Sequence, residues 1–173
     1  FIKSLPFSLT LAQKRCAFQI LKDLEKPRPM NRLLEGDVGS GKTIVAILTT
    51  LNVIEAGFQV ALMAPTEILA KQHFKTFSKF LKNFGKNIGL LTSQDCRILD
   101  KKVQKEKILE KIKDGTIDIL IGTHALLQEN IKFGNLALVI LDEQHRFGVE
   151  QRAKLVARGT TKIPHLLSMT ATP

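Results

Sequence analysis

Apolar residues gather in short runs along the chain: Leu33-Leu34, Val60-Ala61-Leu62-Met63, Ile88-Gly89-Leu90-Leu91, then residues 117–121, 138–141 and 166–169. Most are bounded by Gly, Pro, Asp or Thr and several are dense in Ile, Leu or Val, so they predict strands. The runs are continuous rather than alternating, which predicts strands buried on both faces, as in a parallel sheet. Between them the pattern turns helical. Thr10 predicts an N-cap for a helix reaching about residue 25, closed by Pro27 and Pro29. Residues 42–56 predict a second helix with Gly57 as its stop. Thr66 predicts the start of a third, running to about residue 84 before Gly85, and residues 101–113 predict a further basic helix. Strands alternating with helices predict an α/β fold, a parallel β-sheet with helices on both faces.

On the third helix Phe74, Phe77, Leu81 and Phe84 step by 3, 4 and 3, which puts them on one face and predicts core. Lys71, Lys75, Lys79, Lys82 and Lys86 step by 4, 4, 3 and 4 along another face. That stripe predicts a solvated face, with a phosphate-tracking surface as the second reading.

Composition narrows the class. The 173 residues suit one domain that buries roughly 70% of its unfolded surface. With 44% hydrophobic and 24% charged residues the chain is globular and not disordered. Lys and Arg number 26 against 16 Asp and Glu, a formal net charge of +10. That excess favours a polyanionic partner such as nucleic acid and says nothing of fold. Cys16 and Cys96 are the only cysteines, too few for a disulfide scaffold, and are expected as buried thiols in a reducing compartment. His73, His124, His145 and His165 lack zinc-ligand spacing. No apolar run approaches the ~18 residues of a membrane span. The chain starts without Met and ends at Thr172-Pro173, so it is expected to be cut from a longer protein at both ends.

Three segments carry chemistry. Gly36-Asp37-Val38-Gly39-Ser40-Gly41-Lys42-Thr43 satisfies G-x-x-x-x-G-K-[ST] between a predicted strand and a predicted helix, the setting of a phosphate-binding loop. Its glycines let backbone N–H groups converge on phosphates, and the helix N-terminus adds partial positive charge. Lys42 is expected to reach the β- and γ-phosphates and Thr43 to ligate Mg²⁺. The strand at 138–141 ends in Asp142-Glu143-Gln144-His145. Asp142 is expected to hold Mg²⁺ through oxygen, and Glu143 to orient the attacking water. Ser168-Met169-Thr170-Ala171-Thr172 ends the last strand with small hydroxyl residues that could bond the carboxylate loop; a plain strand terminus is the other reading.

The order of these motifs resembles superfamily 2 helicases and translocases, and among them the first motor domain of bacterial branched-DNA helicases. The matching pieces are Leu9-Thr10-Leu11-Ala12-Gln13, Met30-Asn31-Arg32-Leu33-Leu34 leading into the phosphate loop, and Ala64-Pro65-Thr66-Glu67-Ile68-Leu69-Ala70-Lys71-Gln72-His73. Gly122-Thr123-His124-Ala125-Leu126-Leu127, Asp142-Glu143-Gln144-His145-Arg146-Phe147-Gly148-Val149 and Thr170-Ala171-Thr172-Pro173 complete them. They span nearly the whole chain.

The resemblance implies a RecA-like P-loop NTPase domain over residues 1–173, using ATP and Mg²⁺, with DNA as partner and a second RecA-like domain in cis. Gln13 then falls where the family recognises adenine. Pro65, Thr66 and Glu67, and Gly122, Thr123 and His124, fall where it touches the DNA backbone. Gln144, His145, Thr170, Ala171 and Thr172 fall where nucleotide state is coupled to DNA grip. Arg146 and Phe147 have two readings, a contact with DNA or the partner domain, and internal packing. Leu90-Leu91-Thr92-Ser93 departs from the family, which commonly has Thr-Gly there, so that segment is left out of the expected site.

The implied whole is a cytoplasmic, monomeric DNA helicase that remodels forked or branched DNA. The 173 residues alone are expected to hydrolyse ATP slowly, since an arginine from the second domain contributes about 10³ to 10⁵ in rate. Three other readings remain: a double-stranded-DNA translocase of the transcription-repair coupling type, which commonly has Asp-Glu-Glu where Gln144 stands; an RNA helicase; and a nucleotide-binding module with little catalysis.

Overall fold

In the computed structural model, which describes residues 1–159 and 163–171, the chain forms an eight-stranded sheet in the order β1-β8-β7-β2-β6-β3-β4-β5. The strands are β1 Asn31–Glu35, β2 Gln59–Met63, β3 Ile88–Leu91, β4 Cys96–Ile98, β5 Lys101–Lys102, β6 Ile119–Gly122, β7 Leu136–Asp142 and β8 His165–Thr170. The six predicted strands are all present and pair in parallel. A parallel β-sheet is corrected at one edge, where β3–β4 and β4–β5 are antiparallel. Those two strands, three and two residues long, are too short to carry an apolar run, so periodicity does not announce them.

The helices are α1 Leu11–Leu24, α2 Lys42–Glu55, α3 Glu67–Leu81, α4 Lys105–Lys113 and α5 Val149–Val156. Thr10 caps α1 in a capping box: its hydroxyl accepts from the Gln13 N–H, and the Gln13 carboxamide oxygen accepts from the Thr10 N–H. Thr66 caps α3 by accepting from Leu69 N–H. The third predicted helix ends in a tighter 3-10 turn, Lys82–Phe84, before Gly85. The expected helix at 101–113 begins only at Lys105, because Lys101–Lys102 pairs with β4.

The two-residue period of the strands divides the core. Val60, Leu62, Ile119, Ile121, Leu138 and Ile140 face one cluster with Ile20 of α1, Ile47 of α2, and Phe74, Phe77 and Leu81 of α3. Ala61, Met63, Leu120, Val139 and Leu141 face the other, with Ile108 and Ile112 of α4 and Leu155 of α5. Both layers of a helix–sheet–helix sandwich are therefore filled, and each fully buried Phe or Leu contributes roughly 1.5–3 kcal/mol. Phe74, Phe77 and Leu81 of the predicted stripe are core, whereas Phe84 lies past the end of α3 and is half-buried; Lys71, Lys75, Lys79 and Lys82 of the Lys stripe are exposed. Cys16 and Cys96 are only half-buried, not enclosed as expected, because each lies at the margin of its cluster.

Candidate functional site

Six parallel strands end along one edge of the sheet, where ligands of such folds bind. β1 runs into the glycine loop, β7 ends at Asp142, and β8 lies hydrogen-bonded between them, pairing Glu35 with Thr170 and Asp142 with Met169. With about 4.8 Å between neighbouring strands, the ends of β1 and β7 stand about 10 Å apart. The glycine loop and the acidic pair thus converge across one intervening strand that ends in Thr170 and Ala171. Thr172 lies outside the described residues.

The loop from Gly36 to Gly41 is held by its own backbone. Ser40 N–H donates to Asp37 O at 3.1 Å, and Gly41 takes φ +84° as the N-cap of α2. A Cβ on Gly41 would stand 2.3 Å from Nε2 of Gln13, the movable end of that side chain, so it is the positive φ that calls for glycine there. Lys42 Nζ donates to Gly36 O at 2.6 Å and Asp37 O at 3.0 Å, which holds the ammonium against the loop. Gly39 also has positive φ, and Val38 at the tip is exposed. A cation inside a glycine turn, opening onto a helix N-terminus, fits a polyphosphate. The oxygens of Asp142 and Thr43 are the donor type that a hard divalent cation takes.

Gln13 reaches this loop from α1, its Nε2 donating to Ser40 O at 2.9 Å. Both ends of its carboxamide are thus engaged with backbone, Oε1 by Thr10 N–H and Nε2 by Ser40.

Asp142 is buried, 8% exposed, and Glu143 follows at φ +53°, a left-handed conformation unusual for a residue with a Cβ. Strain of this kind collects at functional sites. It turns the chain out of β7 into the 3-10 turn Gln144–Arg146 and leaves Glu143 and Gln144 half-buried. His145 is exposed, with Nδ1 3.4 Å from Oε2 of Glu143.

The loops expected at DNA lie farther along the same edge. Pro65 and Glu67 are half-buried and Thr66 exposed; Gly122 and Thr123 are buried and His124 exposed. Ala64 N–H donates to Gly122 O at 2.8 Å, which binds the two loops together. Of the two readings for Arg146 and Phe147, packing holds for Phe147, which is buried in the α4–α5 core layer; Arg146 is exposed.

Three relationships escaped the sequence. The His124 ring stacks at a tilt on Phe147, centroids 5.6 Å apart, joining the 122–124 loop to the loop after β7. Gln13 rests on the phosphate loop rather than facing only outward. His73 of α3, 7% exposed, brings Nε2 to 2.6 Å from Oδ2 of Asp142. A signal for the last was present: Ala70, His73 and Phe77 step by 3 and 4 along a buried stripe, and a ring nitrogen there requires a partner.

Comparison with known proteins follows the same lines. The family described as DEAD/DEAH box helicase matches residues 10–173. The chain is 55% identical over 172 residues to the ATP-dependent DNA helicase RecG of Aquifex aeolicus, covering 99% of this chain and 21% of that protein. It is 53% identical over 175 residues to RecG of Haemophilus influenzae, covering 100% of this chain and 24% of that one. It is 52% identical over 177 residues to RecG of Thermotoga maritima, covering 100% and 21%. A solved structure of RecG bound to a three-way DNA junction superposes with a TM-score of 0.83 at 48% identity, covering 99% of this chain and 22% of that one. The chain thus spans about a fifth to a quarter of the length of these relatives.

Proposed function

Because this chain belongs to the DEAD/DEAH box helicase family, we propose that it is the first of two RecA-like motor domains in a DNA helicase that couples ATP hydrolysis to remodelling of branched DNA. The observation that carries this reading is the neighbouring order β1-β8-β7, which sets Lys42 and the Asp142–Glu143 pair on two sides of one strand end. Similarity to RecG proteins from several bacteria supports branched DNA as the substrate over the translocase reading.

In this reading Lys42 leaves the carbonyls of Gly36 and Asp37 and offsets triphosphate charge, while the N–H groups from Gly36 through Gly41 wrap the phosphates. Thr43 and Asp142 would hold Mg²⁺, which supplies charge neutralisation at the transferred phosphoryl group. Glu143 orients the attacking water and accepts its proton. Gln13 turns from Ser40 O to the adenine edge, for which a carboxamide has both a donor and an acceptor. Gln144, His145, Thr170 and Ala171 relay nucleotide state toward the DNA loops, a role extended by the expectation for Thr172. Pro65, Thr66 and Glu67, with Gly122, Thr123 and His124, hold the DNA backbone, with the N-terminus of α3 offering free N–H groups to a phosphate. The net charge of +10 suits that partner.

The second motor domain in cis completes the site and supplies an arginine. The complete protein works in the cytoplasm as a monomer; no helix among the described residues is long and apolar enough to cross a membrane.

The test is ATPase of the complete protein on forked, duplex and single-stranded DNA, with Lys42→Ala beside it. Strong stimulation by forked DNA that Lys42→Ala abolishes is expected. Turnover indifferent to DNA, or preserved in Lys42→Ala, refutes the reading.

A further inference from the structure

Asp142 closes β7 with its carboxylate almost enclosed, and among the described residues its side chain has one hydrogen-bond partner, His73. The 2.6 Å separation is short for a nitrogen–oxygen pair, as expected when the acceptor is charged. A carboxylate only accepts, so the ring Nε2–H is the donor. His73 is itself held: its ring meets the Phe77 ring edge-on, centroids 6.4 Å apart, and both residues sit on the buried face of α3. Among the described residues, nothing else in the proposed site bonds this carboxylate. The neighbouring Glu143 pairs instead with His145, whose Nδ1 lies 3.4 Å from Oε2.

A donor fixed to one oxygen of a carboxylate orients it and leaves the other oxygen for a cation, the arrangement by which outer residues tune metal ligands. We infer that His73 is a positioning residue for Asp142: by donating to Oδ2 it sets the carboxylate in the orientation that binds the divalent cation. The inference rests on the reading of Asp142 as a ligand of that cation. His73 lies seven residues after Thr66, about two helical turns, so the helix that starts at the proposed DNA loop also carries the group that aims the carboxylate.

The experiment uses the complete protein and Mn²⁺ as a spectroscopic probe. Binding of Mn²⁺ in the presence of ATP is followed by electron paramagnetic resonance, and binding of ATP in chelator by fluorescence. His73→Phe keeps a ring against Phe77 and removes the donor; His73→Gln restores an Nε2–H donor; Asp142→Asn tests the ligand itself. The expected result is Mn²⁺ affinity weakened about 10–100-fold in His73→Phe, restored in His73→Gln, with metal-free ATP affinity unchanged in both. Mn²⁺ affinity unchanged in a folded His73→Phe overturns the inference, as does equal loss of metal and ATP binding in both His73 variants. Should His73→Phe fail to fold, His73→Leu takes its place as the donor-free variant: a loss of Mn²⁺ affinity of about tenfold with ATP binding intact supports the inference, and wild-type Mn²⁺ affinity overturns it. Retained Mn²⁺ affinity in Asp142→Asn would instead remove the ligand reading on which the inference stands, whatever the His73 variants do.

Discussion

The carboxamide of Gln13 bridges two backbone segments, accepting from Thr10 N–H at 2.9 Å and donating to Ser40 O at 2.9 Å. One side chain therefore caps α1 and steadies the phosphate loop. Gln13→Ala removes both bonds. It is expected to lower stability by about 1 kcal/mol through the lost capping box and to abolish preference for adenine. Urea melts read the first, and the ratio of ATP to GTP affinities in the complete protein reads the second. A ratio unchanged from wild type would show that Gln13 serves the loop alone.

Glu143 differs from its neutral isostere only in charge and proton-accepting capacity. Glu143→Gln in the complete protein is expected to spare ATP binding and reduce turnover by about 10²–10⁴. Single-turnover hydrolysis and nucleotide titration measure the two quantities separately. ATPase intact in the variant would move the role of the water-orienting base to another residue.

Gly122 ends β6 where a Cβ would meet Leu91 O at 2.2 Å. The obstacle is backbone, which cannot turn aside as a side chain can. Gly122→Ala is expected to destabilise the fold by about 3 kcal/mol and to displace the 122–124 loop. Chemical denaturation reads the stability, and duplex binding by the complete protein reads the loop. A variant as stable as wild type would mean that β3 and β6 separate there without penalty.

Met30 N–H donates to His165 Nδ1 at 2.9 Å where β1 and β8 begin, so the ring must keep that nitrogen bare. Burial pushes His165 below the usual 6.5. The unfolded chain then binds more protons on acidification. The stability from neutral His165 is complete above about pH 6.5 and is lost as pH falls from there through the lower folded value. Thermal melts between about pH 5 and pH 8 should show this slope, and His165→Gln should flatten it. Parallel slopes in the two proteins would assign the acid sensitivity elsewhere.

The main helices and the six parallel strands were legible because burial on two faces leaves continuous apolar runs, and because Thr10 and Thr66 announce helix starts. The phosphate loop was legible because its glycines, lysine and threonine must be consecutive to work. β4 and β5 were not, since edge strands of two or three residues draw their pairing from a neighbour rather than from their own apolar pattern. The half-burial of Cys16 and Cys96 was equally hidden, because position within a layer is set by which elements cover it.

Residue order alone determined that strands and helices alternate, that one turn suits phosphate, and that an apolar strand ends in carboxylates. Those properties reside in contiguous stretches, where local conformation and burial dictate residue type. Only the folded chain decided that β8 inserts between β1 and β7, that Gln13 rests on Ser40, and that His73 holds Asp142. Such partners lie tens of residues apart, and a hydrogen bond across that separation leaves no periodic trace in either segment.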